Sequence, residues 1–390
     1  MDFRLNDEQR MMIETARQIG EGFGLEYWRK HDADKAFPKA YWKAVCDAGL
    51  AGVALPEAHG GSGLGMMEMT LIVEALSATG GGSTVGQLFM VNPIFGGVSI
   101  SRFGNDKMKK ELLPKIISGD MNFCMALTEP DAGTNTLEIK TFAAADGDGW
   151  RLNGRKIWIT GVESADKMLV IARTKKLQDA ESRTDGLTMF MIDVKREGLS
   201  HTPIDKLGTC TLDSSSVFFD NVRVEPDELV GTLHKGWREL LDVLNTERMV
   251  TTAGLVGTGE LAIRLAVDYA NDRKVFGNRP ISAYQGLQFP LAQCPVEVES
   301  ARLLNYKAAT NLDMGLPYSN EANAAKLIAA QAVARATERA MQTMGGMGYA
   351  KEFHVERLWR DCRLFRFAPV SEEMLLNYVA NHELKMPKGY

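Results

Sequence analysis

The segment Arg151-Leu152-Asn153-Gly154-Arg155-Lys156-Ile157-Trp158 places Asn-Gly between two strand-like runs. Asn-Gly between such runs is typical of a type I′ turn, because both central residues of that turn need positive φ angles. The sequence therefore predicts a β-hairpin at this point. Short runs of Trp, Ile, Val, Thr and Phe, broken by Gly, Asn and Asp, surround it over residues 142–224. This middle third of the chain is predicted to be β.

Further strands are expected at 167–172, 187–194 and 215–224, with an exposed loop at 174–186. On both sides of the β region, apolar residues recur at helical spacing. Asn6 can cap a first helix with Gln9 three residues later, Pro38 can open a second helix, and Gly49 can end it. The other predicted helices lie at 66–78, 108–117, 237–271, 285–310, 319–344 and 371–381. Pro290 and Pro295 should kink or end the helix at 285–310, because proline lacks a backbone donor and clashes with the preceding turn.

The order of elements predicts an α+β protein built from three domains. We expect an N-terminal helical domain at residues 1–120, a middle antiparallel β domain at 121–232 and a C-terminal helical domain at 233–390. A chain of 390 residues has room for two or three domains at about 150 residues each.

Composition and charge exclude several classes of function. Apolar residues make up 45% and charged residues 24%, as in folded soluble proteins. The net charge of −5 provides no positive field for phosphate backbones, so nucleic-acid binding is not expected. The N-terminus is charged from Asp2 onward, and no apolar run approaches about 18 residues. We therefore expect a cytoplasmic protein that does not enter a membrane.

No metal or nucleotide motif stands out. Five scattered cysteines and six scattered histidines lack the spacing of a disulfide framework or a metal site. The glycine clusters 80–83 and 345–348 match neither a P-loop nor a dinucleotide fingerprint, and are interpreted as helix–helix turns. A G-x-S-x-G hydrolase motif is also absent.

A series of short motifs runs in one order along the whole chain. They are Leu55-Pro56-Glu57 with Gly60-Gly61, Arg102-Phe103-Gly104-Asn105, Leu127-Thr128-Glu129-Pro130 with Ala132-Gly133-Thr134, Leu152-Asn153-Gly154, Lys156-Ile157-Trp158-Ile159-Thr160, Phe219-Asp220-Asn221-Val222, Arg273 with Phe276-Gly277, Gln342 with Gly345-Gly346, and Arg360-Asp361. In this order they resemble the acyl-CoA dehydrogenases, flavoproteins of fatty-acid and amino-acid oxidation. The resemblance implies FAD as cofactor, an acyl-CoA as substrate and a C-terminal four-helix bundle.

The resemblance also implies which residues contact the cofactor and the substrate. The flavin ring would be lined by Leu127, Thr128, Trp158, Ile159 and Thr160, with the tryptophan shielding one face. The pyrophosphate and adenine would be held by Arg273, Phe276, Gln342 and Gly346, commonly across a subunit interface. Ser371 and Glu373 match further cofactor positions, and Thr134, Asn245 and Arg248 match positions that contact CoA. Without the resemblance each would be given a structural role, Trp158 in a core strand and Arg273 at a solvated helix end.

The reaction of the family needs a carboxylate base in a dry pocket. Many members carry it in a Y-E-G-T-S segment, but here Pro369 occupies the place of that glutamate. The isovaleryl and long-chain branches carry the base on an earlier helix, where Asn245-Thr246-Glu247-Arg248 matches. Glu247 also belongs to a helical stripe with Leu240, Leu244, Thr251 and Leu255, and a desolvated carboxylate is a better base near neutral pH. The alternative is that Glu247 belongs to a buried ion pair.

Glu372 and Glu373 are rival candidates for the base. Ser371 is a good N-cap for the last helix, and acidic residues are favoured in a first turn, which gives both glutamates a structural explanation. Pro369 raises a second question, because family members polarise the thioester carbonyl partly with the backbone N–H of this position. Either Val370 donates instead, or the flavin ribityl hydroxyl acts alone, or the activity differs from simple dehydrogenation.

The segment 359–374 and the opening Met1-Asp2-Phe3 with 5–9 are similar to the crotonobetainyl-CoA reductase branch, which leaves a reductive direction open. The hypothesis is an FAD-dependent acyl-CoA dehydrogenase that uses Glu247 as base and an electron-transfer flavoprotein as acceptor. The alternatives are an enoyl-CoA reductase or lyase on the same scaffold, and a non-catalytic FAD- or CoA-binding homologue. By resemblance the protein would be a homotetramer, arranged as a dimer of dimers.

Overall fold

The structure is a computed structural model that describes residues 4–387. Met1-Asp2-Phe3 therefore lies outside the described residues, as do residues 388–390. Helices form the first part of the described chain, a β-sheet the middle and helices again the last part. The predicted α+β architecture is confirmed, while the boundaries after residues 120 and 232 stay predictions.

Six α-helices make up the N-terminal part. They are α1 Asp7–Asp34, α2 Lys39–Asp47, α3 Met66–Leu76, α4 Ser83–Phe89, α5 Ser99–Phe103 and α6 Asp106–Ser118. The predicted capping box is present, because Asn6 Oδ1 accepts from Gln9 N at 2.7 Å and Gln9 Oε1 accepts from Asn6 N at 3.1 Å. Pro38 precedes α2, and Gly49 adopts a φ of 75° just beyond its end, as expected of a helix-ending glycine.

One eight-stranded sheet forms the middle part. Its strands are β1 Phe123–Ala126, β2 Phe142–Asp146, β3 Gly149–Thr160, β4 Lys167–Arg173, β5 Leu187–Asp193, β6 Leu199–Pro203, β7 Ser214–Val224 and β8 Leu229–Val230. The order is β6-β7-β3-β2-β4-β5-β8, with β1 added on β4. Most neighbours are antiparallel as predicted, but β4 pairs in parallel with both β1 and β2, so the sheet is mixed.

The predicted hairpin at Asn153-Gly154 is wrong. β3 runs straight through this dipeptide and pairs with β2 on one side and β7 on the other. The register along β7 shifts between Leu152 and Gly154, so the pair forms a β-bulge. Gly154 has a φ of 152°, and a Cβ there would lie 2.4 Å from Thr141 Oγ1. Glycine is thus required for close approach to a neighbouring strand, and the turn between β2 and β3 lies instead at 146–149, where Gly147 has a φ of 63°.

Long helices pack side by side in the C-terminal part. They are α7 Gly236–Asp272, α8 Gln285–Asp313, α9 Ser319–Met344, α10 Val355–Arg363 and α11 Glu372–His382, with a small hairpin of β9 Lys274–Val275 and β10 Arg279–Pro280 after α7. α7, α8 and α9 pack against one another and α11 packs on α9, which gives the expected four-helix bundle. α7 contains a stretch of mean hydropathy 1.3 that is long enough to span a membrane, but 72% of this stretch is buried inside the protein. It has the character of a core helix.

α8 does not end at Pro290 or Pro295, and this part of the prediction is wrong. Its packing against both α7 and α9 supports the helix on either side of the prolines. Cys294 Sγ also contacts the carbonyl of Pro290 at 3.3 Å. Tertiary packing therefore overrides the local cost of the two missing donors.

The short helix α10 joins the three parts of the chain. Arg357 is 3% exposed and donates through Nη2 to the carbonyl of Gly80 at 2.6 Å, in the turn between α3 and α4. Arg360 bonds Asp32 of α1 at 2.7 Å, while the buried Asp361 accepts from the backbone N–H of Thr209, which lies between β6 and β7. One network of buried charges thus connects the N-terminal helices, the sheet and the C-terminal bundle.

The bulge in β3 gives a first prediction. Gly154→Ala should lower the free energy of unfolding by roughly 1–3 kcal/mol, because the added Cβ meets the backbone of Thr141 and the φ angle disfavours any side chain. Thermal and denaturant unfolding would measure it.

Gly22→Ala is the matched control. Gly22 is exposed in α1, and a Cβ added there would have no other atom within 4 Å, so alanine should leave stability equal or raise it by up to about 1 kcal/mol. Equal stability of both variants would contradict the account of the bulge.

Candidate active site

Glu247 lies on the buried face of α7. The carboxylate side chain is 4% exposed, and the stripe predicted around it is buried, with Leu240 and Leu255 at 0% and Thr251 at 3%. Leu244, one turn before Glu247, packs in the same apolar cluster as Leu240 and Leu127. Two residues of the stripe around the predicted base therefore share an apolar cluster with Leu127 of the predicted flavin site.

The carboxylate of Glu247 has no ion-pair partner. Among residues 4–387, no Lys, Arg or His nitrogen lies within 4.0 Å of it, and it makes no hydrogen bond. Burial raises the pKa of Glu247 to about 7, against the lowering effect of the positive charges of Arg248 and Lys326. The buried-ion-pair alternative is not what the described residues show. A carboxyl group of this kind can take or give a proton near neutral pH.

Sequence reasoning missed Lys326, a fully buried cation on α9. Its Nζ donates to the carbonyls of Phe365 at 2.7 Å and Val370 at 2.5 Å. The signal was present, because Lys326 stands on a face of α9 otherwise formed by small residues such as Ala322, Ala329 and Ala330. The stripe argument that singled out Glu247 applies equally to this lysine.

The segment before α11 carries Pro369. The preceding Arg366 binds Glu372 through two hydrogen bonds, Nε to Oε1 at 2.7 Å and Nη2 to Oε2 at 2.9 Å. This pairing lowers the pKa of Glu372. Ser371 Oγ accepts from Met374 N at 3.3 Å and caps α11, as predicted, while Glu373 is exposed. The two rival glutamates are thus a paired and an exposed carboxylate, and neither has the isolated burial of Glu247.

Trp158 stands at a second irregularity of β3. The register with β7 shifts between Lys156 and Ile159, and Trp158 adopts a φ of 61°, unusual for a bulky residue. Its side chain is 53% exposed, whereas the side chain of Ile159 is buried in the sheet core. Such backbone strain is found where a side chain is re-aimed for function. Trp158 can present its indole to a ligand, while Ile159 could contact one only through its backbone.

The loop that carries Leu127 and Thr128 is anchored on β3. Thr128 O accepts from Ile157 N at 2.9 Å, and Leu127 O accepts from Lys156 Nζ at 2.8 Å. Lys156 is fully buried and also forms an ion pair with Glu129 at 2.9 Å. Burial lowers the pKa of Lys156 to about 8, against the opposing effect of Glu129. The loop and Trp158 are therefore fixed relative to each other.

Glu129 completes this anchor. Its Oε1 accepts from Thr141 N at 2.9 Å and its Oε2 from Lys140 N at 2.6 Å. Burial alone would raise the pKa of Glu129, but the charge of Lys156 and these amide bonds outweigh it, and the pKa lies below its ordinary value. Glu129 is thus a structural carboxylate, and the exposed Thr134 follows it on the same loop.

Asn245 and Arg248 lie together on α7, next to Glu247. Arg248 Nη1 donates to Asn245 Oδ1, and Asn245 Nδ2 donates to Ser319 Oγ at 3.3 Å. The Nε of Arg248 is buried and has no hydrogen-bond partner within residues 4–387. A buried donor of this kind calls for a partner, which a polar ligand can provide.

The remaining predicted cofactor residues lie at the other end of the bundle. Arg273 follows α7 by one residue, about 39 Å from Glu247 at 1.5 Å per helical residue. Phe276 is 90% exposed in the β9–β10 hairpin, while Gln342 and Gly346 are exposed at the end of α9. Within one chain, Thr128 is bonded to β3 beside Trp158, whereas this second group lies far along α7 and α9 from Glu247.

Within the part of the chain that the structure describes, no cluster of three or more His, Cys, Asp or Glu side chains could hold a metal ion. The exposed tryptophan at a strained bulge and the buried carboxyl group with a pKa of about 7 fit the class that the short motifs resemble, a flavin-dependent oxidoreductase that handles a proton at carbon.

Comparison with known proteins identifies the family. The N-terminal, middle and C-terminal domains of acyl-CoA dehydrogenases match residues 6–120, 124–222 and 234–384. The acyl-CoA dehydrogenase FadE12 of Mycobacterium tuberculosis is 38% identical over 99% of this chain and 98% of its own. The 3-(aryl)acrylate reductase of Clostridium sporogenes is 34% identical over 91% and 92%. The chain belongs to the acyl-CoA dehydrogenase family.

Solved structures agree with this assignment. The glutaryl-coenzyme A dehydrogenase complex with glutaryl-CoA superposes with a TM-score of 0.94 at 29% identity, covering 100% of this chain and 98% of the other. A structure described as the electron transferring flavoprotein of Acidaminococcus fermentans gives 0.93 at 30% identity, covering 99% and 100%. FAD is the cofactor and an acyl-CoA the substrate of this oxidoreductase. The exposed indole of Trp158 and the unpaired Nε of Arg248 fit a bound aromatic ring and a polar ligand.

The anchor of the flavin-site loop gives a second prediction. Lys156→Met leaves Glu129 charged and buried without its partner, so the free energy of unfolding should fall by about 3–5 kcal/mol. The purified variant should also retain less FAD, because Leu127 loses its anchor. Unfolding and the ratio of flavin to protein absorbance measure the two effects.

Lys140→Met is the control, because its exposed side chain only approaches Asp131 at 3.6 Å, a pair worth about 1 kcal/mol or less. If Lys156→Met were no less stable than this control, the ion pair would not anchor the loop.

Proposed function

We propose that Glu247 is the base in the dehydrogenation of an acyl-CoA between the carbon beside the thioester and the next one. The observation that carries the proposal is a buried carboxyl group that has no partner among residues 4–387 and has a pKa raised by burial to about 7. A thioester carbonyl acidifies the neighbouring C–H bond, and ionised Glu247 accepts that proton. Bound FAD would accept the hydride from the next carbon. The apolar neighbours Leu240 and Leu244 exclude water from the carboxylate.

Val370 is the backbone donor we propose for the thioester carbonyl. Pro369 has no N–H, and its amide nitrogen cannot take this part. The N–H of Val370 makes no hydrogen bond to any carbonyl or side chain of residues 4–387. The carbonyl of Val370 accepts a hydrogen bond from Lys326 Nζ at 2.5 Å, which fixes the residue. Its backbone N–H remains available to a ligand. A preorganised donor of this kind is worth about 10²–10³ in rate.

Arg248, Asn245 and Thr134 are proposed to bind the CoA portion. The buried Arg248 Nε has no hydrogen-bond partner in the described part of the chain, and Thr134 is exposed on the loop that begins at Leu127. A guanidinium group suits phosphate and carbonyl oxygens because its donors are planar and permanently charged. Ser371 and Glu373 stand at the start of α11 and would reach the cofactor from there.

Reduction of an enoyl-CoA is the second candidate. It is favoured by the replacement of the usual glutamate by Pro369 and by the similarity to the 3-(aryl)acrylate reductase. The two directions need opposite forms of Glu247, ionised for oxidation and protonated for reduction. Because the pKa of Glu247 is about 7, oxidation should gain rate as the pH rises through 7 and reduction should lose it.

The assembly and setting of the enzyme are also proposals. A homotetramer built as a pair of dimers would place Arg273, Phe276, Gln342 and Gly346 of one chain beside the Trp158 region of another. The separation of these groups within one chain supports this. An electron-transfer flavoprotein is the proposed acceptor, supported by the likeness to the Acidaminococcus structure. Five free cysteines, four of them buried, suit a cytoplasmic location.

The role of Glu247 gives a third prediction. Glu247→Gln should lower kcat/KM for acyl-CoA oxidation by about 10²–10⁴, because the amide cannot accept the proton. In the wild type kcat/KM should fall below about pH 7, and the residual activity of the variant should lack this limb. Steady-state dye reduction across the pH range measures both.

Asp242→Asn is the matched control on the same helix, because that carboxylate is exposed and should leave the rate unchanged. Full activity of Glu247→Gln, together with loss of activity in Glu372→Gln or Glu373→Gln, would transfer the role of base to α11.

The shared cofactor site gives a fourth prediction. Glu247→Gln chains lack the base and Arg273→Ala chains lack the distant cofactor contact, so each assembly alone should be inactive. When the two are co-expressed and purified together, a hybrid contains one complete site, formed by Glu247 of one chain and Arg273 of the other. Activity should return in part. A mixture as inactive as its parents, or a native mass equal to one chain with bound FAD, would argue against a shared site.

A further inference from the structure

Lys326 fixes both ends of the segment that replaces the usual catalytic glutamate. Its Nζ donates to Phe365 O at 2.7 Å and to Val370 O at 2.5 Å, and the side chain is completely buried. The two carbonyls bracket residues 366–369, including Pro369. An ammonium group has three donors, and only two are used within residues 4–387. The lysine therefore holds this segment, and one of its N–H donors has no acceptor within residues 4–387.

The charges around Lys326 come from two neighbouring helices. Glu247 and Arg248 act on it from α7, and Glu372 and Glu373 act from α11. The charge of Glu372 is already matched by the two bonds from Arg366, and Glu373 is exposed to solvent, where screening weakens it. Glu247 is the carboxylate of this group that is buried and unpaired. Arg248 and Lys326 are the cations that act on it in turn.

We propose that Lys326 is the positioning residue of this active site: it clamps residues 365–370 and supplies, from α9, a positive charge that acts with Arg248 to favour the ionised form of Glu247. The inference rests on the proposed role of Glu247. Burial lowers the pKa of Lys326 to about 8, above the value of about 7 for Glu247, so the ammonium form predominates at the midpoint of the Glu247 titration. Removal of this charge makes ionisation of Glu247 more costly, and its pKa must then rise.

The titration of Glu247 can be followed without turnover. Infrared spectra of the FAD-loaded protein are recorded across the pH range and subtracted from one another. The band that disappears from these difference spectra in Glu247→Gln belongs to the protonated carboxyl group of Glu247. In Lys326→Gln, which keeps a donor but loses the charge, the midpoint of this band should move up by about one pH unit. Lys326→Met should show the same shift, and Lys326→Arg, which keeps the charge, should titrate like the wild type. An unchanged midpoint in both neutral variants would overturn the inference.

The clamp has its own measurement, hydrogen exchange of the amides in residues 365–371. Exchange there should accelerate in Lys326→Met and stay near the wild-type rate in Lys326→Arg. If neither neutral variant folds, Lys326→Arg carries the test: a wild-type midpoint and wild-type exchange support the proposal, and a midpoint shifted upward by a pH unit overturns it.

Failure of this inference and failure of the proposed function give different results. If the band shifts as expected but no acyl-CoA is oxidised by the wild type, the electrostatic coupling stands and the proposed reaction fails. If the wild type oxidises an acyl-CoA and its acidic limb is unmoved in Lys326→Gln, the reaction stands and Lys326 is not its positioning residue.

Discussion

Buried cations that donate to backbone carbonyls hold this molecule together. Arg357 caps the glycine turn between α3 and α4 through Gly80 and so ties the helical layer to the bundle. A buried guanidinium group is costly unless its donors are satisfied, and backbone carbonyls of loops are acceptors that no regular ladder uses. Each such contact therefore satisfies the cation and fixes a loop at the same time. The relative placement of the three parts of the chain depends on it.

The same device recurs wherever a loop contributes to the site. Arg173, the last residue of β4, donates to the carbonyls of Leu137, Ile139, Arg183 and Asp185 and so binds two loops at the end of this strand. Lys156 holds the carbonyl of Leu127, and Lys326 holds those of Phe365 and Val370. Loops are the mobile parts of a fold, yet catalytic geometry must be precise. The buried cations give the loops the precision that catalysis needs, because they fix these loops on rigid strands and helices.

Much of the architecture could be predicted from the sequence, because it depends on local signals. The capping box of Asn6, the end of α2 at Gly49 and the stripe around Glu247 follow from spacing alone. The prediction at Asn153-Gly154 was wrong because a glycine with a positive φ angle suits a tight turn and a β-bulge equally. What decided between them was Thr141, the residue just before β2, a neighbour that a single segment does not reveal.

The sequence names candidate site residues, but it reveals only part of how they are arranged. The short motifs pointed to Trp158 and Arg273 alike, and the helix predicted at 237–271 already implied that about 39 Å separates Arg273 from the base. Lys326 escaped because its partners are backbone carbonyls, which leave no trace in the sequence. The isolation of Glu247 likewise depends on what does not lie near it, a property of the folded chain.

The central claim is that this fold oxidises an acyl-CoA through its bound FAD. Anaerobic addition of straight, branched and trimethylammonium-bearing acyl-CoAs to the purified yellow protein, followed in the visible flavin band, tests it most directly. At least one of these thioesters should bleach the flavin band and thereby identify the acyl class. A protein that binds FAD and keeps its full colour with every thioester would contradict it.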